Sequence, residues 1–313
     1  MTAGISGPQQ YARRSLGMFI HFSMATFTNL EQGNPNSSPT LFAPTSLSID
    51  NWVSAAQAMG AQYAVFTAKH SDGFCLYPSN TTTFGIKSAA PWYANSGNLD
   101  IVGTFVSKFR AAGIVPCLYY CIADATFQQS QGQVLTQFKS YSSGQLANLL
   151  ADYNQSQYLS YIQSQLTEIL TNYPNLGGIW MDGGYWAMAN TYYPWASASQ
   201  MLSFIHGLQP NIMVCNNSHT HLNSDTDVVE WEGGGAGAPP TLYNAQEFCD
   251  TIQSNNQWFW HSGAPLYSTA ATVAEFLTCN KVNCSFLLDC PPDTTGNIPA
   301  AMLTAMQAIG AAL

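Results

Sequence analysis

The residues of this chain best suited to chemistry are few, and most of them stand at the ends of short apolar runs. Asp182 closes Gly178–Met181 and is followed by Gly183 and Gly184, while Glu230 and Glu232 end the run Val228–Glu232. His21 lies near the end of Gly17–Phe22; Lys69, His70 and Asp72 follow Tyr63–Thr67. Tyr119, Tyr120 and Asp124 fall at or after the end of Val115–Tyr120, His261 follows Gln257–Trp260, and Asp289 ends Ser285–Asp289. A carboxylate at the end of a buried strand is hard to accommodate unless something meets it, and flanking glycines let a ligand come close. Paired carboxylates of this kind suit glycoside hydrolysis, one acting as nucleophile or base and the other as acid. Aromatic residues make up 13% of the chain and offer faces on which sugar rings stack.

Composition removes other chemistries. Seventeen acids against eight Lys plus Arg leave a formal charge of −9, and beyond Arg110 only Lys139 and Lys281 are basic. Phosphate clamps and nucleic-acid partners are therefore not expected. No G-x-G-x-x-G, Walker or G-x-S-x-G motif occurs, which argues against nucleotide enzymes and serine hydrolases. The pair His219 and His221 has no clear third ligand and reads as a solvated loop, so neither a metal nor a cofactor is called for. No apolar stretch approaches 18 residues, and the tail Ile298–Leu313 is interrupted by Thr304 and Gln307, so no membrane partner is expected.

The elements that must position these residues follow from the pattern. Eight apolar runs recur: Gly17–Phe22, Tyr63–Thr67, Val115–Tyr120, Gly178–Met181, Ile212–Cys215, Val228–Glu232, Gln257–Trp260 and Ser285–Asp289. Between or after them Ile49–Met59, Asp100–Ala112, Tyr158–Asn172, Ser197–Leu208, Ala271–Cys279 and Pro299–Ala312 carry apolar residues at helical spacing. Asp50 or Asn51 is expected to cap the first of these, with Gly60 and Gly113 ending the first two. Alternating strands and helices predict an α/β fold, and eight strands predict a (β/α)8-like (TIM) barrel forming a single domain over residues 1–313. A doubly wound open sheet is the alternative. In a barrel, catalytic groups collect at the C-terminal strand ends, where the polar residues above are found.

Eight cysteines without a CxxC pair permit disulfides, with Cys279, Cys284 and Cys290 the densest group. Sequons stand at Asn36, Asn80, Asn154, Asn216 and Asn283. Together these features lead us to expect a secreted, glycosylated chain; residues 1–16 contain Arg13 and Arg14 but no apolar core, consistent with a signal already removed.

Several motifs carry a family resemblance. Met18-Phe19-Ile20-His21-Phe22, Thr67-Ala68-Lys69-His70-Ser71-Asp72-Gly73-Phe74, Leu118-Tyr119-Tyr120 and Ile179-Trp180-Met181-Asp182-Gly183 resemble glycoside hydrolase family 29, the α-L-fucosidases. Phe42-Ala43-Pro44 with Trp52, and Leu287–Pro292 with Gly296, extend the resemblance collinearly to the C-terminus. The pair Pro291-Pro292 and the step Trp258-Phe259 look most like the branch often selective for α-1,3/1,4-linked fucose. The family's usual C-terminal β-sandwich has no counterpart in the sequence. The resemblance implies a retaining double displacement on a terminal fucosyl residue of an oligosaccharide or glycan, with Asp182 as nucleophile. For the acid/base it leaves Glu232 first, with Glu230 and Glu247 as alternatives. His21, Glu31, His70 and Tyr120 match positions that hold sugar hydroxyls, and Trp180 and Trp258 match an apolar side facing the C6 methyl. Three departures stand out: Ser71 replaces a second histidine, Gln32 replaces a tryptophan, and Gln253 and Gln257 occupy a stretch where an arginine is usual. An α-L-galactoside hydrolase and a catalytically silent fucose-binding protein are the alternative functions.

Overall fold

The first predicted run becomes a strand in which every side chain is buried, β1 (Leu16–Ile20), as expected for a parallel strand covered on both faces. In the computed structural model, residues 15–130, 155–183, 198–217, 226–233 and 245–313 are described. The sequon at Asn154 and the pair His219 and His221 lie outside them. Seven more strands follow: β2 (Tyr63–Lys69), β3 (Val115–Cys121), β4 (Gly178–Asp182), β5 (Met213–Asn216), β6 (Val229–Glu232), β7 (Gln246–Thr251) and β8 (Ser285–Asp289). All registered pairings are parallel, in the order β5-β4-β3-β2-β1-β8-β7-β6. One parallel bridge between Cys215 and Val228 joins β5 to β6, so the sheet is a nearly closed barrel. The doubly wound alternative is excluded.

Among the described residues, the longest helices between or after the strands are α1 (Ile49–Met59), α2 (Ile101–Ala111), α3 (Gln155–Asn172), α4 (Ala198–Leu208), α5 (Thr269–Lys281) and α6 (Ala300–Ala312). Ser48, not Asp50 or Asn51, caps α1, its hydroxyl accepting from the Asn51 N–H. Asp50 sits in the first turn, where the helix dipole favours an acid. Gly60 ends α1 at φ 83°, a conformation that suits glycine.

Alternation along the strands divides the core in two. Phe19, Tyr63, Val65, Tyr119, Trp180, Met213, Cys215, Cys249 and Leu287 fill the barrel, while Met18, Ile20, Phe66, Tyr120, Met181 and Phe286 pack outward against the helices.

One strand lies elsewhere than the pattern predicts. The seventh is Gln246–Thr251, and residues 257–260 belong to the loop that follows it. Gln246-Glu247-Phe248-Cys249-Asp250-Thr251 carries three polar or acidic side chains among its first five residues, yet every position is buried. Its acids are accommodated by partners, which apolar periodicity does not register.

Candidate active site

At the C-terminal mouth of the barrel, Asp182 ends β4 beside Cys121 at the end of β3. Its carboxylate is held by three donors. The Tyr119 hydroxyl donates to Oδ2 at 2.5 Å; the Gly183 N–H and the Asn217 side-chain amide donate to Oδ1 at 2.7 and 3.3 Å. Gly183 reaches this position at φ 73°, and a side chain there would run into the backbone of Ala123. The same Asn217 Nδ2 donates to Glu232 Oε2 at 3.1 Å. One amide, just past the end of β5, thus ties the carboxylates of β4 and β6 together. Burial, and next the charge of Asp182, push the Glu232 carboxyl up to about 7, opposed by the Asn217 bond.

The other two glutamates lie deeper. Glu230 precedes Glu232 by two residues, about 6.6 Å along the strand, and pairs in register with Glu247 on β7. Glu247 is fully buried and accepts from the Tyr63 hydroxyl and from the Trp180 indole N–H at 3.1 Å. Cys215 donates to Glu230 Oε2 at 3.5 Å, and the other Glu230 oxygen is buried without a partner. Among the described residues, Cys215, Glu230 and Glu247 bring ligand-type atoms within 4.8 Å of one another. Burial first, then the neighbouring Glu247, hold the Glu230 carboxyl well above the usual carboxylate range, which favours its neutral form.

Across the mouth from Glu232 lies a histidine wall. His21 follows β1; its Nδ1 is 2.8 Å from Asp289 Oδ1, which also accepts the His21 backbone N–H. Burial lowers His21 to about 4 and raises Asp289, so charge is disfavoured on both partners. His70 stacks on Tyr119 with ring centres 5.6 Å apart, and burial lowers it to about 3. Trp258 sits 5.4 Å from His21, ring to ring. Trp180 stacks beneath Tyr119 at 5.4 Å and so forms the floor.

Two of the residues proposed to bind sugar have other partners. Glu31 accepts from the Trp258 and Phe259 backbone N–H groups and lies 2.9 Å from His261 Nε2, anchoring the Trp258 loop. Tyr120 points away from the barrel interior: its hydroxyl donates to Gln165 Oε1 at 2.7 Å and accepts from Lys69, whose ammonium lies over its ring. The structure thus does not bring Tyr120 to Asp182; its neighbour Tyr119 is the inward one. Lys69 forms a fully buried ion pair with Asp124 at 2.9 Å.

The departures from the family pattern acquire partners too. The Ser71 hydroxyl donates to Gln32 Oε1 at 2.8 Å and lies 3.2 Å from His70 Nδ1. Gln253 donates to the carbonyls of Gln257 and Phe259 and accepts from the His261 N–H, holding the Trp258 loop from inside. Sequence reasoning missed Asn217, which stands just past β5 like the other site residues and carries no charge to draw attention.

Most of the chain is similar to known proteins. Residues 37–313 match the family profile described as Alpha-L-fucosidase. The chain belongs to the α-L-fucosidase family. It is 29% identical over 320 residues to Alpha-L-fucosidase 1 of Arabidopsis thaliana, covering 92% of this chain and 56% of that protein. The chain therefore spans about half the length of this curated relative. Among solved structures, α-L-fucosidase isoenzyme 1 from Paenibacillus thiaminolyticus superposes with a TM-score of 0.74 at 24% identity, over 97% of this chain and 74% of that one. The Lactobacillus casei α-L-fucosidase, solved with α-L-fucose product, gives 0.74 at 19% identity, over 97% of both chains. These likenesses are to the α-L-fucosidase barrel.

Proposed function

We propose that this chain hydrolyses terminal α-L-fucosyl residues of oligosaccharides or glycoconjugates with retention, using Asp182 as nucleophile and Glu232 as acid/base. The observation that carries the reading is the Asn217 amide shared by the two carboxylates. Bonds of 3.3 and 3.1 Å to one nitrogen hold the two bonded oxygens closer together than the ~6.5–9.5 Å that inverting pairs need for an intervening water. Of the three glutamates, Glu232 alone stands at the mouth and only partly buried; Glu230 and Glu247 are closed off in the barrel.

In the first step Asp182 attacks the anomeric carbon while protonated Glu232 gives its proton to the leaving oxygen. A carboxyl raised to about 7 keeps that proton near neutral pH. Leaving-group departure opens the site to water, and Glu232, now a carboxylate, takes the water's proton as the fucosyl ester is cleaved. Neutral His21 and His70 offer ring nitrogens to sugar hydroxyls without adding positive charge beside Asp182. Trp258 supplies an apolar face at the rim.

The test is chemical rescue. Asp182→Gly should be inactive on an aryl α-L-fucoside and regain turnover with azide, yielding a fucosyl azide of inverted configuration; Glu232→Gly should yield the retained product. Rescue at Glu230 or Glu247 in place of Glu232 would reassign the acid/base. Faster turnover of the aryl α-L-galactoside would overturn the substrate assignment. We also propose an extracellular location with glycans at Asn36, Asn80 and Asn283, which are exposed; Asn216 is buried in β5 and a poor acceptor. A mass unchanged by deglycosylation after eukaryotic secretion would reject the glycans.

A further inference from the structure

All eight cysteines are free thiols in the structure, and the sequence grouping of Cys279, Cys284 and Cys290 does not survive as a trio. Cys284 immediately precedes β8 and Cys290 immediately follows it, so the strand holds them about 20 Å apart. Cys279 and Cys284 are another matter. Helix α5 ends with Asn283 in the left-handed conformation at φ 55°. The Cys284 N–H bonds to the Cys279 carbonyl at 3.0 Å and the Asn283 N–H to the Asn280 carbonyl at 3.1 Å. These paired bonds, with a left-handed residue between them, are the Schellman ending of a helix, a motif that turns the side chains of its first and last residues toward each other. In most helices that contact is between two apolar side chains. Here it is between two thiols, which are 1% and 2% exposed.

We propose that Cys279 and Cys284 are a disulfide site, closing the turn from α5 into β8. The backbone bond between these residues fixes how close their Cα atoms come, so joining the sulfurs demands a side-chain adjustment and no strand movement. The reaction needs an oxidant, a small disulfide such as oxidised glutathione. One cysteine, as thiolate, attacks its S–S bond, forming a mixed disulfide and releasing one glutathione thiolate. The second cysteine, as thiolate, then displaces the other glutathione, so that the protein S–S bond forms as two electrons pass to the glutathione couple. Two thiol protons are lost and two reduced glutathione molecules leave. Because both thiols are buried once α5 has docked, the exchange belongs to folding, before the last turn of the helix closes over them. The bond would pin the last turn of α5 to the start of β8, the strand that carries Asp289 behind His21. This inference does not depend on the fucosidase reading.

The test is to refold the full chain in a mixed oxidised and reduced glutathione buffer, unfold it in iodoacetamide without reductant, and map the peptides by mass. The expected result is a Cys279–Cys284 fragment two hydrogens lighter than its reduced form and carrying no alkyl group, with Cys290 alkylated. Cys279→Ser should leave Cys284 alkylated, whereas Cys290→Ser should leave the bond intact. If Cys279→Ser fails to fold, wild type answers alone: its unfolding midpoint should be about 2–4 °C lower when it is refolded in dithiothreitol in place of the glutathione mixture. Recovery of both cysteines alkylated, or either one joined to a different cysteine, would overturn the proposal.

Discussion

The mouth of the barrel and the layer directly beneath it are built from the same strands and the same residue types, yet they do different things. At the mouth, Asp182 and Glu232 share the Asn217 amide, and Glu232 reaches solvent in part. One pleat down, Glu230 and Glu247 face each other in register, closed in by Cys215, Tyr63 and Trp180. Both layers raise a carboxyl by burial and a like charge, but with different consequences. At the mouth the shift stops near 7, where a proton can be given and taken back; below, burial and Glu247 push Glu230 further toward its neutral form, away from any acceptor in solvent. Depth, more than residue type, separates an acid suited to catalysis from one suited to packing.

The sharpest way to break this comparison is to remove the proposed nucleophile. Asp182→Ala should lower kcat/KM on an aryl α-L-fucoside by ~10^4-fold or more with binding of fucose retained. Next comes Glu232→Gln, with a loss of ~10^2–10^4-fold on a poor leaving group and much less on an activated aryl one. Glu247→Gln should act on the fold instead: it weakens the acceptors of Tyr63 and Trp180, and a stability loss of about 1–3 kcal/mol is expected in urea unfolding while the pH profile keeps its shape. A dead but fully stable Glu247→Gln would erase the distinction between the layers.

A smaller effect probes the bridge. The Asn217 bond favours the charged form of Glu232, so its removal should raise that carboxyl further. In the proposed mechanism Glu232 must be protonated, and kcat/KM of the wild type should therefore fall as pH rises through about 7. In Asn217→Ala this alkaline limb should move to higher pH, at a lower plateau. A limb moving to lower pH, or staying in place, would show that Glu232 is not the titrating group.

What the sequence reveals follows the same division. Seven of the eight strands are legible, most because their apolar runs are continuous, as β1 and β8 show, and β6 through Val228, Val229 and Trp231 although Glu230 interrupts them. The seventh, β7, is hidden because Glu247 and Asp250 interrupt the apolar signal, while the aromatic Gln257–Trp260 segment imitates a strand although it covers the mouth. Asp182 is readable because it closes a continuous apolar run and is followed at once by glycines that let a ligand approach. Neither the ranking of the three glutamates by depth nor the role of Asn217 is contained in spacing; both depend on which strands become neighbours.

The pairing of Ser71 with Gln32 is the clearest case of information that exists only after folding, since 39 residues separate two side chains that meet at 2.8 Å. Read along the sequence, each is a lost sugar contact. Folded together, they assign a proton. The Ser71 hydroxyl gives its hydrogen to Gln32 Oε1 and so presents a lone pair to His70 Nδ1, 3.2 Å away. His70, kept neutral by burial, must then carry its proton on Nδ1, leaving Nε2 as an acceptor for a hydroxyl donor. Ser71→Ala should lower kcat/KM by ~5–10-fold, the worth of about one neutral hydrogen bond, chiefly through KM. Gln32→Ala should do the same. Because both act through one proton position, Ser71→Ala with Gln32→Ala should be no worse than either alone, and two losses that simply multiply would separate the pair from His70.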